Sequence, residues 1–179
     1  MLDRIIAKHL GFPIQDKIKG TNIIKTLSFL KESQYWDDDS IYEYRLKKLK
    51  LLIDHAKTKV PYYENLFGKL KLSSSSIKSL DDIYKIPILT KEIVREQGNN
   101  LVSHEISKFK VKKGKTGGTT GAPVITYSDS VSRSFVWGSY YRWYEWMGLN
   151  YYDKTATLWG ANTVLTKSII ANVKINTID

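Results

Sequence analysis

The chain of 179 residues contains no cysteine, three histidines and four prolines. Without cysteine it has no disulfide scaffold, thiolate zinc site, iron–sulfur site or cysteine nucleophile. Its histidines, His9, His55 and His104, form no short ligand pair, so no dedicated metal site is expected. No apolar run approaches the roughly 20 residues that cross a bilayer, and the first residues make a poor secretory signal. We therefore expect a cytoplasmic protein.

Acidic residues are also in short supply. The chain has 28 lysines and arginines against 18 acidic residues, which gives a net charge of +10. A charge of that sign predicts attraction to nucleotides, nucleic acid, anionic lipid or acidic metabolites, without choosing among them. Hydrophobic residues make up 42% of the chain, as in globular proteins. The length suits about one domain, at about 100–200 residues per domain.

The best-patterned segment is a predicted helix that begins near Ser40. Ser40 and Glu43 form an S-x-x-E capping box, and Pro61 is expected to end the helix. We interpret the acidic run 37–39 as favourable charge at the helix start rather than as a metal site. The basic residues between Arg45 and Lys59 allow either a solvated face or a phosphate-binding stripe. One apolar stripe has helical spacing: Tyr42, Leu46, Leu49, Ile53, Ala56 and Val60.

Two short capped helices and two strands are predicted next. Ser79 and Thr90 are expected to cap the helices. The strands are predicted where Phe109, Val111 and Lys113 alternate and over Val124–Tyr127.

A longer aromatic helix is expected after the second strand. It is predicted to start at Ser128 or Asp129 and to end at Gly148. Its arginines, Arg133 and Arg142, allow either phosphate contacts or structural pairing. Its aromatic rings allow either stacking on an adenine or aryl acid or packing in the core, and we favour the core. Four large side chains share one face of the helix: Val136, Tyr140, Trp143 and Met147.

The segment between the two strands combines three glycines with three threonines. Residues 115–123 read Lys115, Thr116, Gly117, Gly118, Thr119, Thr120, Gly121, Ala122 and Pro123. Glycines let the backbone approach a ligand, and successive N–H groups in such a loop form a concave anion site. The threonine hydroxyls would add donors and Lys115 a positive charge. Neither the Walker A pattern nor the Rossmann fingerprint matches. The residues alone allow a phosphate-binding loop or a hairpin without a ligand.

The order of these residues resembles the phosphate loop of the adenylate-forming (AMP-binding) superfamily. Three further segments, in the same order, are similar to its phenylacetate–CoA ligase and CapK-like branch: V-P-Y-Y at 60–63, P-x-L-T-K-E at 87–92, and the aromatic helix from Arg133 to Gly148. The resemblance begins near Ser40. It implies a mixed α/β fold in which N-terminal helices precede a strand, the phosphate loop, a strand and a helix. Residues 1–39 would be a weakly patterned helical segment. Residues 40–179 would be the N-terminal part of the large AMP-binding domain, without the C-terminal domain.

The resemblance also implies a function. Family members use ATP and Mg²⁺ to activate a carboxylate as an acyl-AMP, which is then transferred to coenzyme A or another acceptor. CapK-like members are associated with capsular polysaccharide biosynthesis. The implied partners are therefore a nucleotide, a small carboxylic acid and the missing C-terminal part of the enzyme, with no specific nucleic acid. The implied nucleotide-binding residues are Lys115, Thr116, Gly117, Gly118, Thr119, Thr120 and Gly121.

Two departures limit what is carried over. Ala122 and Val124 stand where many members have lysine. The family's ribose-binding aspartate and catalytic lysine come later than residue 179, so no catalytic residue and no metal ligand is assigned, and this chain alone is expected to be inactive. Two alternatives stay open. The first is a small basic nucleic-acid-binding module that uses the basic helix and aromatic stacking, and the second is a non-catalytic remnant.

Overall fold

The computed structural model describes residues 2–108, 110–116, 123–153, 156–158 and 173–175, which are mostly helical. The α-helices in these ranges are α1 (Leu2–Ile6), α2 (Phe12–Lys19), α3 (Ile23–Ser33), α4 (Asp38–Lys59), α5 (Pro61–Lys69), α6 (Lys91–Gln97) and α7 (Ser130–Trp146). A π-helical turn covers Ala7–Gly11, and 3₁₀ turns cover Ser74–Ser76, Leu80–Lys85, Gly98–Leu101 and Ile106–Lys108. The strands are β1 (Lys112–Lys115), β2 (Ile125–Ser128), β3 (Ala156–Leu158) and β4 (Val173–Ile175).

The strands form two small antiparallel sheets, β1 with β2 and β3 with β4. Helix and strand therefore coexist, as expected, although helix predominates. The chain divides into two compact units. The first unit comprises Met1–Leu30 with Ser134–Asp179, and the second comprises Lys31–Arg133. The predicted division at residue 39/40 stays a prediction.

The core of the second unit lies between α4 and α5. The predicted stripe of α4 supplies it, since Ile53 and Ala56 are buried and Leu46 and Leu49 pack against them. The other buried members are Phe67, Leu72 and Ile77. Apolar side chains four and three residues apart on α4 thus cover one side of α5 and the turns that follow, as the helical period requires.

The ends of α4 show one confirmed prediction and one correction. Val60 leaves the helix in an extended conformation, because the residue before Pro61 is kept out of the helical region. At the other end the predicted cap is wrong, since the helix begins at Asp38. The Asp37 carboxylate accepts a hydrogen bond from the Ser40 N–H at 2.8 Å. Asp37 precedes Ser40 with a stronger, charged acceptor, so Ser40 lies inside the first turn.

The two short caps are confirmed. Ser79 forms a reciprocal capping box with Asp82, and the Thr90 hydroxyl accepts a hydrogen bond from the Ile93 N–H at 3.3 Å. The chain between them is extended from Ile86 and reaches α6 at Lys91.

In the first unit, residues 2–19 are helical throughout, although the sequence there is weakly patterned. The π-helical turn joins α1 to α2, and the Phe12 N–H donates to the Ala7 carbonyl. Pro13 follows at once. A proline in a helix removes one hydrogen bond and crowds the carbonyl four residues earlier, and a widened turn relieves both problems.

Helix α7 buries small side chains rather than aromatic ones. Ser134 and Gly138 are buried, and the Ser134 hydroxyl accepts a hydrogen bond from the Asn22 N–H at 2.9 Å. A Cβ on Gly138 would lie 3.2 Å from the Thr26 methyl carbon and 3.3 Å from Leu30 Cδ1, so α7 and the first-unit part of α3 approach closely here. The predicted core face is therefore wrong: Val136, Tyr140, Trp143 and Met147 are each about half exposed.

Both predicted ends of α7 are confirmed. Asp129 caps α7 by accepting from the Ser132 N–H, and Gly148 adopts a positive φ of 80° just beyond the helix, as expected of a residue that terminates one. The alternation of residues 155–159 also predicts a strand; the structure has β3 at Ala156–Leu158, and the residues that flank β3 lie outside the described ranges. In the part of the chain that the structure describes, no helix is both long and apolar enough to cross a membrane.

Candidate functional site

The segment predicted to bind phosphate is flanked by the β1–β2 hairpin. The two strands pair in register, with Lys112 opposite Ser128, Lys113 opposite Tyr127 and Lys115 opposite Ile125. All four residues of β1 are exposed, as are three of the four in β2. The hairpin therefore projects polar side chains and adds no large side chain to the core.

Thr116 closes the hairpin on the side of this segment. Its N–H donates to the Val124 carbonyl at 3.0 Å, and its hydroxyl accepts from the Val124 N–H at 3.0 Å. The backbone amide of Thr116 is thus used within the hairpin. The hydroxyl accepts this bond with its oxygen and keeps its own proton, which it can still donate.

The pleat separates Lys115 from Thr116. Successive residues of a strand point to opposite faces, and directly opposed residues share a face. Lys113 and Lys115 therefore share one face with Tyr127 and Ile125. The Lys113 ammonium lies 6.0 Å from the centre of the Tyr127 ring, within the range of a cation–π contact. Positive charge on this face is fixed by the register and does not depend on the segment between the strands.

Arg133, from the first turns of α7, holds the other end of the hairpin. Its guanidinium donates to the Ser128 carbonyl at 2.8 Å and to the Lys110 carbonyl at 3.0 Å. One side chain therefore joins the residue that ends β2 to the chain just before β1. Arg142 likewise donates to the Leu30 carbonyl at 3.0 Å and lies over the Trp146 ring. Both arginines have structural roles in the described contacts.

Between residues 106 and 128 the charged side chains are all lysines. The sequence from 106 to 128 contains five lysines, Lys108, Lys110, Lys112, Lys113 and Lys115, and no aspartate or glutamate. Lys108 pairs with Glu105 at 2.7 Å, whereas Lys110 and the three lysines of β1 are exposed. Clustered positive charge raises the local concentration of anions. The absence of carboxylates along this stretch is visible in the sequence, and it is a stronger signal than Lys115 alone.

The structure describes two of the seven predicted nucleotide-binding residues. Lys115 lies at the end of β1 and Thr116 follows it, on opposite faces by the strand alternation. Gly117, Gly118, Thr119, Thr120 and Gly121 lie outside the described residues, so their predicted role as a cradle stays a prediction. The closing bonds between Thr116 and Val124 are not visible in the sequence, because they join residues eight positions apart that meet only when the strands pair.

No family model and no curated protein matches the chain. The resemblance to the adenylate-forming superfamily therefore stays an expectation that rests on the order of residues in the sequence.

The competing basic surface on α4 is less continuous than its sequence indicates. Lys57 donates to the Leu72 carbonyl at 3.0 Å, and Lys59 pairs with Glu105 at 3.2 Å. The two ammonium groups hold the end of α4 to other parts of the second unit. The possible phosphate-binding stripe on α4 is thereby shortened to the residues between Arg45 and Lys50. Lys47 and Lys50 line a shallow groove there together with two carboxylates, those of Glu43 and Asp54.

Proposed function

We propose that the β1–β2 hairpin and the segment between its strands bind the phosphate groups of ATP, in an adenylate-forming ligase of the phenylacetate–CoA ligase and CapK-like type. The observation that carries the proposal is the combination of a T-G-G-T-T-G-A-P segment with two antiparallel strands that close at Thr116 and Val124. Their lysine-rich flank, which has no carboxylate, supports the same assignment.

The chemistry assigned to this chain is positioning and charge stabilisation. In the proposed reaction a carboxylate oxygen attacks the α-phosphorus of Mg-ATP, so that an acyl-adenylate forms and pyrophosphate leaves. The leaving pyrophosphate gains negative charge, which donors already in place stabilise without reorganisation. Backbone N–H groups between Gly117 and Gly121 and the hydroxyls of Thr119 and Thr120 are the proposed donors. Lys115 and Lys113 provide the positive field.

The finer assignments follow from the resemblance. The substrate would be a small carboxylic acid and the acceptor coenzyme A or another nucleophile, in a cytoplasmic enzyme linked to capsular polysaccharide biosynthesis. Residues 115–121 would contribute phosphate binding, and the ribose-binding and catalytic side chains would belong to later segments of the family's fold.

Thermal unfolding with and without Mg-ATP tests the binding step. A ligand that binds only the native state at 100 times its dissociation constant stabilises that state by about 2.7 kcal/mol. For a chain of this size that corresponds to a rise of about 5–10 °C in the melting temperature. Pyrophosphate should produce a smaller rise. Replacing both hydroxyls with Thr119→Val and Thr120→Val should remove most of the effect.

Lys115→Gln tests the role of the positive charge beside the segment, and Lys69→Gln is its matched control. Both lysines are exposed and both changes remove one positive charge, but Lys69 lies on α5. Only Lys115→Gln should weaken ATP binding. A wild-type melting temperature that Mg-ATP leaves unchanged at millimolar concentration would contradict the proposal. Steeply salt-dependent binding of single-stranded DNA, with no effect of ATP, would favour the nucleic-acid module instead.

A further inference from the structure

The N-terminal helical segment of the first unit, residues 2–19, exposes a row of aliphatic side chains to solvent. Ile6, Leu10, Ile14 and Ile18 are between 45% and 75% exposed. We call these four residues the aliphatic stripe. A helix packed on a globular core normally shows the reverse pattern, with its apolar stripe facing the core.

The opposite side of the same segment makes the contacts to the rest of the first unit, through charged and aromatic side chains of which Phe12 and Asp16 are buried and Arg4 and Lys8 exposed. Phe12 packs against the rings of Tyr151 and Tyr141, with centroid distances of 4.8 and 5.4 Å. Arg4 and Lys8 lie over the Tyr152 ring, and Arg4 pairs with Asp153. One turn after Phe12, Asp16 is buried, and its side chain accepts hydrogen bonds from the Thr21 hydroxyl and the Ile24 N–H.

These contacts fix how the segment is rotated. The packed residues Arg4, Lys8, Phe12 and Asp16 recur every four positions, and the aliphatic stripe recurs every four positions two residues later. Two residues are about 200° around a helix, so the stripe lies opposite the packed side. Both faces are thus accounted for: one is held by the rest of the first unit, and the other is apolar and in solvent.

The π-helical turn keeps the stripe on one face. In an α-helix each step of four residues turns about 40° too far, so a four-residue repeat drifts around the axis. A π turn holds more residues per turn, so a step of four within it turns too little. The step from Ile6 to Leu10 crosses the turn at Ala7–Gly11. It therefore offsets part of the drift that accumulates from Leu10 to Ile18.

The charge beside the stripe is positive. Within residues 2–30 the sequence has five basic side chains and two acidic ones, and one of the acidic pair is the buried Asp16. Lys17 and Lys19 stand on either side of Ile18, and both are exposed. An apolar stripe with flanking lysines is the arrangement by which a helix lies in the interface of an anionic bilayer. The same lysines disfavour a second copy of this chain as the partner, because two such stripes would bring like charges together.

We propose that the aliphatic stripe docks the protein on an anionic membrane surface. The helical segment would lie in the plane of the headgroups, with the stripe in the acyl boundary and Lys17 among lipid phosphates and carboxylates. The packed side keeps its contacts to Tyr141, Tyr151 and Tyr152, so binding requires no unfolding of the first unit. This proposal does not depend on ATP binding by the hairpin.

Vesicle sedimentation tests the proposal with the full chain. Phosphatidylcholine vesicles that contain about one third phosphatidylserine should bind the protein, and raised salt should weaken the binding. Pure phosphatidylcholine vesicles should bind it less. Ile14→Glu should lower the partition coefficient by about tenfold or more, because it places a charge where an aliphatic side chain would enter the acyl boundary of the bilayer. Ile14→Ser, which leaves the charge unchanged, should lower it as well.

The matched control is Ile88→Glu. Ile88 is more exposed than the residues of the stripe, at 85%, and lies in the second unit. The control has the same composition and net charge as Ile14→Glu, and its binding should stay within about twofold of wild type. Circular dichroism establishes that each variant is folded. Equal losses for Ile88→Glu and Ile14→Glu, or no binding of the folded wild type, would overturn the proposal. So would a wild-type dimer that Ile14→Glu dissociates, because a second copy would then occupy the stripe.

Discussion

At the residue scale, a close contact between α7 and the first-unit part of α3 depends on a glycine. Gly138 has the Thr26 methyl carbon and Leu30 Cδ1 within 3.3 Å of where its Cβ would be. A large side chain there must push α7 away from its neighbour. Hydrophobicity patterns do not predict this face, since Ser134 and Gly138 count as polar or neutral residues.

We therefore expect Gly138→Leu to destabilise the protein by about 1–3 kcal/mol, the usual cost of overpacking. The control is Gly68→Leu, since Gly68 also lies in a helix but has no atom within 4 Å of its Cβ position. There the gain in helix propensity should stabilise the protein by up to about 1 kcal/mol. Chemical denaturation measures both values. Equal effects of the two substitutions would show that close packing at Gly138 does not matter.

A second residue-scale prediction concerns the start of α4. The hydroxyl and N–H of Ser40 hold the pKa of Asp37 below its ordinary value of 3.8. The folded pKa is thus below the unfolded one, so this contribution to stability is present above pH 3.8 and is lost as the pH falls through the folded pKa. Asp37→Ala should lower the melting temperature at pH 7 by about 2–4 °C.

Ser40→Ala separates the observed cap from the predicted one. It removes the hydroxyl that approaches Asp37 but leaves the N–H that Asp37 accepts, so its effect at pH 7 should be the smaller of the two. The difference between wild type and Asp37→Ala should shrink below pH 3.8. If Ser40→Ala proves the more damaging change, the capping-box interpretation of the sequence was right.

At the element scale, we predict that the Thr116 hydroxyl stabilises the closed end of the β1–β2 hairpin. Thr116→Val keeps the shape of the side chain but removes the acceptor for the Val124 N–H. A hydrogen bond of this kind contributes about 1 kcal/mol, so hydrogen exchange at the Val124 amide should speed up about fivefold. Thr126→Val is the control, since Thr126 lies in β2 opposite Gly114, away from the bonds between Thr116 and Val124 that close the hairpin. Unchanged exchange at Val124 in Thr116→Val would mean that the hydroxyl does not hold the hairpin closed.

Comparison of the helices shows which elements a sequence can predict. Helix α4 was predicted because its apolar stripe faces the core and Pro61 ends it by local geometry. Residues 2–19 were predicted only as part of a weakly patterned helical segment, because Pro13 interrupts the pattern and left the bounds of the helices there undefined. The face of α7 was predicted wrongly because size, not hydropathy, decides which side packs on a close neighbour. Periodicity finds a helix, but burial depends on the partner, which one sequence does not specify.

The candidate site was predictable to a similar extent. Alternation and turn residues located both strands of the hairpin within two or three residues of their observed bounds. The clamp by Arg133 was not foreseen, because its two carbonyl partners are 5 and 23 residues away and lie at one end of the hairpin only after the strands pair. Contacts of that range follow from register, which the sequence alone left open.

At the scale of the whole molecule, the response to pH follows from charge. Lys85, with the Ser79 and Lys78 N–H groups, holds the pKa of Asp82 far below 3.8, and Lys108 and Lys59 lower that of Glu105 below 4.5. In the opposite sense, burial raises the pKa of Tyr141 and of Tyr63 above 10.0. Lowered carboxyl values stabilise the fold above the ordinary carboxyl range, and raised tyrosine values stabilise it below pH 10.

Stability should therefore be greatest between about pH 5 and 9 and fall on both sides. On the acid side the unfolded chain binds more protons than the folded one. Neutralisation of the 18 carboxylates alone, with the histidines left out of the count, raises the net charge from +10 toward +28. Repulsion then adds to the loss of the ion pairs. Added salt screens the repulsion, so the midpoint of acid unfolding should move to lower pH when the salt concentration is raised. Circular dichroism against pH at two salt concentrations measures the shift.

A midpoint that is independent of salt would mean that loss of specific carboxylate contacts, and not net charge, drives acid unfolding. In that case Asp82→Asn should reproduce part of the loss at neutral pH.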